Sequence, residues 1–426
     1  MKFPEFSMER MQSTWEHRVK YDLSESGLEA LTLEDAVRDF DALRGERLGY
    51  ANGMGRDATR TQVAAFHPDA TLDNVLITTG TSEANFLALT TLVDPGDEVV
   101  IVMPNYMQLH GIARGLGARV KEVWLREEWG WRLDLDALRA AVTSRTKVVC
   151  ICNPNNPTGQ ILTAAEVLDV ATLVEGQGAW LLADEVYRGA ERVAQETSTF
   201  YGHHDRIIVT GGLSKAYGLP GLRIGWIVAS PERIAAAWAM KDYTTIAPAT
   251  LSELLAEIAL ARREQLLKRA RYLLNERWPI LESWAAAHAQ ELHWVAPAAG
   301  GICFFGYSFP VDSLELVEVE PPAPLLPQPH LFHLGAEAAG DPVELHVVRE
   351  DDDDLVAGLD ERREGEEVRL ARPGRDEHVV QRRLRMERGD ELPRRVAAHP
   401  VRVAEPLAAQ RVQVPDRILE RERLDP

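Results

Sequence analysis

The stretch TGGLSKAYGLPGLRIGW, residues 210–226, holds a single lysine, Lys215. Gly211, Gly212, Gly218 and Gly221 surround it, Ser214 precedes it and Arg223 follows eight residues later. A lysine amine is a nucleophile only when it is neutral or already condensed with a carbonyl. Its ordinary pKa is about 10.4, so burial or a nearby cation must lower it. Arg223 supplies a cation, and the glycines let a flat ligand and its phosphate approach the backbone. One established use of a lysine so placed is a Schiff base with pyridoxal 5'-phosphate.

That cofactor makes further demands, and the chain holds a residue for each. The pyridine nitrogen stays protonated only against a carboxylate. LLADEVYRG supplies Asp184 after an apolar run, and Tyr187 three residues later is within reach of the ring's phenolic oxygen. NPNNPTG, residues 153–159, offers that oxygen the Asn156 amide, fixed before Pro157 in a turn. Phosphate needs backbone N–H groups at a helix start, and Gly80-Thr81-Ser82 stands between a strand-like run and a helical one. Tyr106, in MPNYMQLHG, offers an aromatic face. Each has an ordinary structural reading by itself: a polar turn, a helix cap, a packed ring. Their joint occurrence carries the argument.

The elements that would position them are legible as apolar runs at 75–79, 98–103, 120–125, 148–152, 180–183, 207–210 and 224–228. Most are continuous rather than alternating, as in strands covered on both faces. Helix-like stretches such as 164–173 separate several of them, which implies an α/β layer with a mostly parallel sheet. The candidate residues follow the C-terminal ends of these strands, where such sheets bind ligands. From residue 231 to about 290 the pattern turns helical and leads toward a smaller second domain.

The 426 residues are 45% hydrophobic and carry a net charge of −19. That charge argues against nucleic-acid and anionic-membrane partners. No apolar run reaches the roughly 18 residues of a spanning helix, and MKFPEFSMER lacks a signal-peptide core. A cytoplasmic location is expected. Cys150, Cys152 and Cys303 read as buried thiols, and His203-His204-Asp205 as a surface loop; no metal site is expected. Residues 321–426 contain no Ser, Thr, Asn, Lys, Tyr, Trp or Cys but 17 arginines. That is unlike an ordinary folded domain; it reads as an acidic or basic interaction tail, a disordered segment, or translation in a shifted reading frame.

The ordered set YANGMGRDATR, TTGTSEAN, MPNYMQLHG, NPNNPTG, ADEVY and LSKAYGLPGLRIGW resembles the class I/II aminotransferases, pyridoxal-phosphate enzymes of fold type I, over about residues 22–313. The resemblance implies a three-layer α/β/α fold with a mostly parallel seven-stranded sheet and a smaller α+β domain. It divides the chain into an N-terminal arm with part of the small domain (1–45), a large cofactor-binding domain (46–255), the start of the small domain (256–317) and an atypical tail (318–426). It implies that Lys215 condenses with the cofactor and then moves the proton at the substrate Cα. Asp184 would pair with the pyridine nitrogen, Asn156 and Tyr187 with the phenolic oxygen, and Tyr106 with the ring face. Gly80, Thr81, Ser82, Ser214 and Arg223 would hold the phosphate. Tyr50 would reach a partner copy's phosphate, which implies a homodimer, and Gly27 and Asn156 would contact an amino acid or 2-oxo acid substrate.

Two departures stand out. Many members carry a serine three residues before the lysine, where this chain has Gly212, so the phosphate grip is expected to be looser or to rest on backbone and Ser214. The arginine that binds the substrate carboxylate has no counterpart in a matching pattern after about residue 317; Arg369 lacks the surrounding residues. A frameshift near 314–320 would account for the lost pattern and the tail, and translating the same DNA in its other frames tests it. Transamination is the leading expectation. A lyase, decarboxylase or cyclase on the same scaffold is the alternative, since DLSESG resembles the capreomycidine-synthase branch, which cyclises a modified arginine. An inactive cofactor-binding remnant is the third.

Overall fold

The computed structural model describes residues 2–18, 22–36, 43–193, 195–308, 310 and 344–349. Seven strands form the large sheet: β1 (Val75–Thr78), β2 (Glu98–Met103), β3 (Arg119–Trp124), β4 (Thr146–Cys152), β5 (Trp180–Asp184), β6 (Ile207–Gly212) and β7 (Gly225–Val228). Their order is β1-β7-β6-β5-β4-β2-β3. All neighbours are parallel except β7, which runs against both β1 and β6. Because β7 opposes both neighbours, β1 and β6 point the same way, and the C-terminal ends of six strands share one edge. The seven runs predicted from sequence are these seven strands, 98–103 with the same ends and the others with ends moved by one or two residues.

The inner strands are almost entirely apolar because both faces are covered, whereas the edge strand β3 (RVKEVW) is mixed and largely half-buried. Val100, Val102, Val149, Ile151, Leu181 and Ala183 enter one hydrophobic cluster; Val99, Ile101, Val148, Cys150 and Leu182 enter the other. This alternation is the two-residue period of a strand. Burying each such Val, Leu or Ile contributes roughly 1.5–3 kcal/mol.

The helices are α1 (Ser7–Trp15), α2 (Leu33–Ala36), α3 (Asp57–Ala64), α4 (Gly80–Thr90), α5 (Gln108–Gly115), α6 (Leu135–Ala141), α7 (Ala164–Gly176), α8 (Pro231–Lys241), α9 (Thr250–Leu260) and α10 (Arg263–Ala287). Local chemistry sets several starts. Thr163 and Glu166 form a reciprocal capping box on α7, and the Asp134 carboxylate accepts from Asp136 and Ala137 N–H on α6. The helical region after residue 231 resolves into α8, α9 and the 25-residue α10.

A second sheet follows: β8 (Leu292–Trp294), β9 (Ile302–Tyr307) and β10 (Glu344–Arg349), in the order β10-β9-β8. β8 is antiparallel to β9 and β10 parallel to it. Six residues of the compositionally unusual tail therefore add a strand to this sheet. Arg369 and the rest of 318–426 lie outside the described residues.

Candidate active site

The strand register places the key groups side by side. Asp184 lies opposite Cys152 on β4 and Thr210 on β6, while Gly225 of β7 pairs with both Gly212 and Thr78. The segments leaving these positions carry the Asn153–Gly159 turn, the Lys215 segment and the α4 start. Asp184, 5% exposed, ends β5. One of its oxygens accepts from the Asn85 amide at 2.8 Å and the other from Val186 N–H at 3.0 Å. Asn85 Oδ1 accepts in turn from the Thr210 hydroxyl at 2.7 Å. Burial pushes the Asp184 carboxyl upward, while the Asn85 amide, the Val186 N–H and the Lys215 charge pull it back. This carboxylate is held by oriented donors in a low-dielectric place, ready for a cationic partner.

Beside it, the Asn156 amide donates to the Tyr187 hydroxyl at 3.1 Å, both side chains buried. Tyr106 follows β2 through Pro104. Its ring lies 5.2 Å from Phe6 and its hydroxyl bonds to Glu9 of α1. Burial and the Glu9 charge push the Tyr106 phenol upward. The Lys215 amine donates to Ser26 Oγ at 2.6 Å and to Glu25 Oε1 at 3.0 Å. Gly27 N–H donates to that same Glu25 oxygen at 2.5 Å, which fixes the 25–27 turn over the lysine.

The phosphate cradle expected from sequence is a place without side chains. A Cβ on Gly225 would stand 2.4 Å from Gly80 C and 2.5 Å from Thr81 N. A Cβ on Gly80 would meet Arg223 Nη2 at 2.4 Å, so the guanidinium covers the start of α4. Arg223 Nη1 and Ser214 Oγ are 3.5 Å apart. Thr81 Oγ1 is buried without a hydrogen-bond partner among the described residues. An unsatisfied hydroxyl, free helix N–H groups and a guanidinium on one spot fit a phosphate group. Ser82 is exposed on the next position, its carbonyl accepting from Gln108 at 2.9 Å. Gly212 is explained by this packing. A Cβ there would lie 2.6 Å from Thr81 Oγ1 and 3.0 Å from Ile224 O, so a serine does not fit the present backbone.

Lys215, Asp184, Asn156, Tyr187, Tyr106, Gly80, Thr81, Ser82, Ser214, Arg223 and Gly27 thus gather at one edge of the sheet. Tyr50 does not join them within the chain; it is 94% exposed. Asn85, Thr210 and Glu9 belong to the site but carry no site role in the sequence reading, while Glu25 and Ser26 lie in the DLSESG stretch it noted. Asn85 had a signal: it is the one polar residue on the buried face of α4, among Ala84, Leu87, Ala88 and Leu89. The three cysteines are free and buried. Among the described residues no group of three or more His, Cys, Asp or Glu is placed to hold a metal ion, and no helix is long and apolar enough to cross a membrane.

Comparison with known proteins agrees with this architecture. The family described as aminotransferase class I and II matches residues 19–317, and the chain belongs to it. Its cofactor is accordingly pyridoxal phosphate, which the cradle and the Asp184 carboxylate fit. Capreomycidine synthase of Streptomyces vinaceus is 33% identical over 308 residues, covering 71% of this chain and 79% of that protein. A crystal structure of a PLP-dependent aminotransferase from Streptococcus suis superposes with a TM-score of 0.70 at 31% identity, covering 74% of this chain and 86% of that one. The PLP-dependent cyclase OrfR superposes with a TM-score of 0.66 at 26% identity, over 70% and 80% of the two chains.

Proposed function

We propose that the protein is a cytoplasmic, homodimeric aminotransferase that moves an amino group from an amino acid to a 2-oxo acid. The observation that carries this reading is the placement of Lys215 at the sheet edge that also presents the buried, amide-held Asp184. The bound cofactor would supply an electron sink for the carbanion formed at the substrate Cα. Asp184 keeps a positive charge on the ring nitrogen favourable. Asn156 and Tyr187 hold the phenolic oxygen, and Tyr106 covers the ring face. Gly80, Thr81, Ser82, Ser214 and Arg223 bind the phosphate. Lys215 takes and returns the Cα proton as general base and acid. Gly27 and Asn156 border the substrate, and Tyr50 completes the partner copy's phosphate site. Residues 46–255 form the large domain; 1–45 and 256–317 contribute to the small one.

A cyclase, or another reaction on the same cofactor, is the second reading. It is favoured by the capreomycidine synthase and OrfR relatives and by two carboxylates, Glu25 on Lys215 and Glu9 on Tyr106, that suit a substrate with a cationic side chain. Purified protein is mixed with pyridoxal phosphate, a panel of amino acids and a 2-oxo acid, and the products are separated. A new amino acid made from the 2-oxo acid supports transfer. A ring, ammonia or carbon dioxide supports the second reading. A visible band that no amino acid shifts leaves a cofactor-binding remnant. A band unaffected by Lys215→Ala sinks both catalytic readings.

A further inference from the structure

Residues 22–32 cross the Lys215 segment without forming helix or strand. Such a strap keeps its place only through bonds to what lies beneath it. Gln12 of α1 holds one end, donating to Ser24 O at 2.6 Å. The other end runs into α2, where Arg262 beside the α10 start donates to Asp35 O at 3.1 Å and Ala36 O at 3.3 Å. Between these anchors Glu25 and the buried Ser26 receive the Lys215 amine.

The middle of the strap is fixed at a single point. Arg269 of α10 donates from Nη1 to Glu29 O at 3.0 Å, and its Nη2 stands 3.8 Å from Glu29 Oε2. Leu31 N–H donates to Gly218 O at 2.8 Å. Gly218 N–H reaches Lys215 O at 3.4 Å, closing the turn that begins at the lysine. Gly218 has φ 64°, and a Cβ there would lie 2.9 Å from Glu29 O and 3.2 Å from Arg269 Nη1. Strap, Lys215 turn and guanidinium therefore meet where no side chain fits. The helix behind them is a firm base. Leu266, Leu267 and Ala270 are buried, and a Cβ on Gly189 would meet both Leu267 Cδ2 at 2.7 Å and Ala216 Cβ at 3.5 Å, beside Lys215.

We propose that Arg269 is a positioning residue for the Lys215 amine. By clamping the strap to the Lys215 turn, it keeps Glu25 and Ser26 where they receive the amine whenever that amine is not condensed. A lysine side chain is a flexible four-carbon stem, and two fixed acceptors give it one place to stand. The inference rests on the reading of Lys215 as the residue that condenses with the cofactor. Arg269 touches neither the amine nor its acceptors in any printed bond, so its effect has to pass through the strap. It must therefore disappear when the strap's two acceptors are removed.

The test uses the full chain. Hydrogen exchange of the 24–31 peptide is followed by mass spectrometry in cofactor-free protein, and growth of the visible band after adding pyridoxal phosphate by stopped flow. Arg269→Ala is expected to speed exchange in 24–31 about tenfold while leaving β5 unchanged. It should also speed band growth about threefold, because the amine is no longer held back. Arg269→Lys keeps a charge and one donor for Glu29 O, so both effects should be smaller, and it carries the same test should the alanine variant fold poorly. In a Glu25→Gln/Ser26→Ala background, Arg269→Ala should still loosen the strap but alter band growth by less than about 1.5-fold. Full acceleration in that background would show an effect of charge or general stability and overturns the proposal. Unchanged exchange in 24–31, or faster exchange with unchanged band growth, overturns it as well. Band growth that persists in Lys215→Ala removes the Lys215 reading and this inference with it; failure of the clamp alone shows in the exchange measurement, which needs no cofactor.

Discussion

Asn85→Ala tests how the Asp184 carboxylate is kept ionised. The Asn85 amide is the donor to one Asp184 oxygen, at 2.8 Å, in a pocket where both residues are buried. A hydrogen bond to a charged group contributes roughly 1.5–3 kcal/mol, and one pKa unit corresponds to about 1.36 kcal/mol. Burial already drives this carboxyl upward, and the Asn85 bond is the largest effect pulling it back. Losing it raises the Asp184 pKa further. The protonated form cannot stabilise a charged ring nitrogen. The pH at which cofactor affinity falls on the acid side therefore moves up in the variant. Titrating the visible band with pyridoxal phosphate at a series of pH values reads this directly. Thr210→Val, which removes the hydroxyl that bonds Asn85 Oδ1, should move the limb in the same direction by less. A folded Asn85→Ala protein whose acid limb stays where wild type has it refutes the electrostatic reasoning.

Three other outcomes follow from the same geometry. Gly212→Ser should not tighten phosphate binding; crowding against Thr81 Oγ1 and Ile224 O should cost about 1–3 kcal/mol of stability, read by denaturant unfolding. Glu25→Gln weakens the ion pair that the Lys215 amine must leave before it condenses, so growth of the visible band after adding pyridoxal phosphate should be several-fold faster in a stopped-flow trace. Glu185 is buried on Thr199 and Phe200 N–H, and burial raises its carboxyl from 4.5 to about 7. With the folded value above the unfolded one, its contribution is full below about pH 4.5 and is lost as pH rises through about 7, a span of roughly 3 kcal/mol. Glu185→Gln should therefore flatten the fall in Tm between about pH 4.5 and 7, and an unchanged slope would contradict the assignment.

Much of the fold is readable because burial on both faces leaves a continuous apolar run. Val99 to Met103 and Val148 to Cys152 have no polar interruption, so their residue types alone mark them as strands. Asp184, Asn156 and Lys215 are readable because each breaks an apolar run or a glycine-rich turn with a group that needs a reason. The supporting residues are hidden by distance. Asn85 meets Asp184 across 99 residues, Glu25 meets Lys215 across 190, and Glu9 meets Tyr106 across 97. Nothing local in a sequence marks such pairs. The antiparallel β7 is hidden too, because its apolar run reads the same in either direction, and only the short link after Gly212 requires it to turn back.

The glycine contacts of the cradle have a consequence for how this sequence can vary. Gly80, Gly212 and Gly225 come from three separate segments, and the room for a methyl group at each is filled by atoms of the Thr81 segment, Arg223 or one another. Such positions depend sterically on one another. A codon change at one is not a neutral stepping stone unless the other segments have already withdrawn, and each withdrawal alone leaves a gap. In this backbone a change in phosphate handling is least disruptive at Ser82, whose side chain is exposed, and most disruptive at the three glycines.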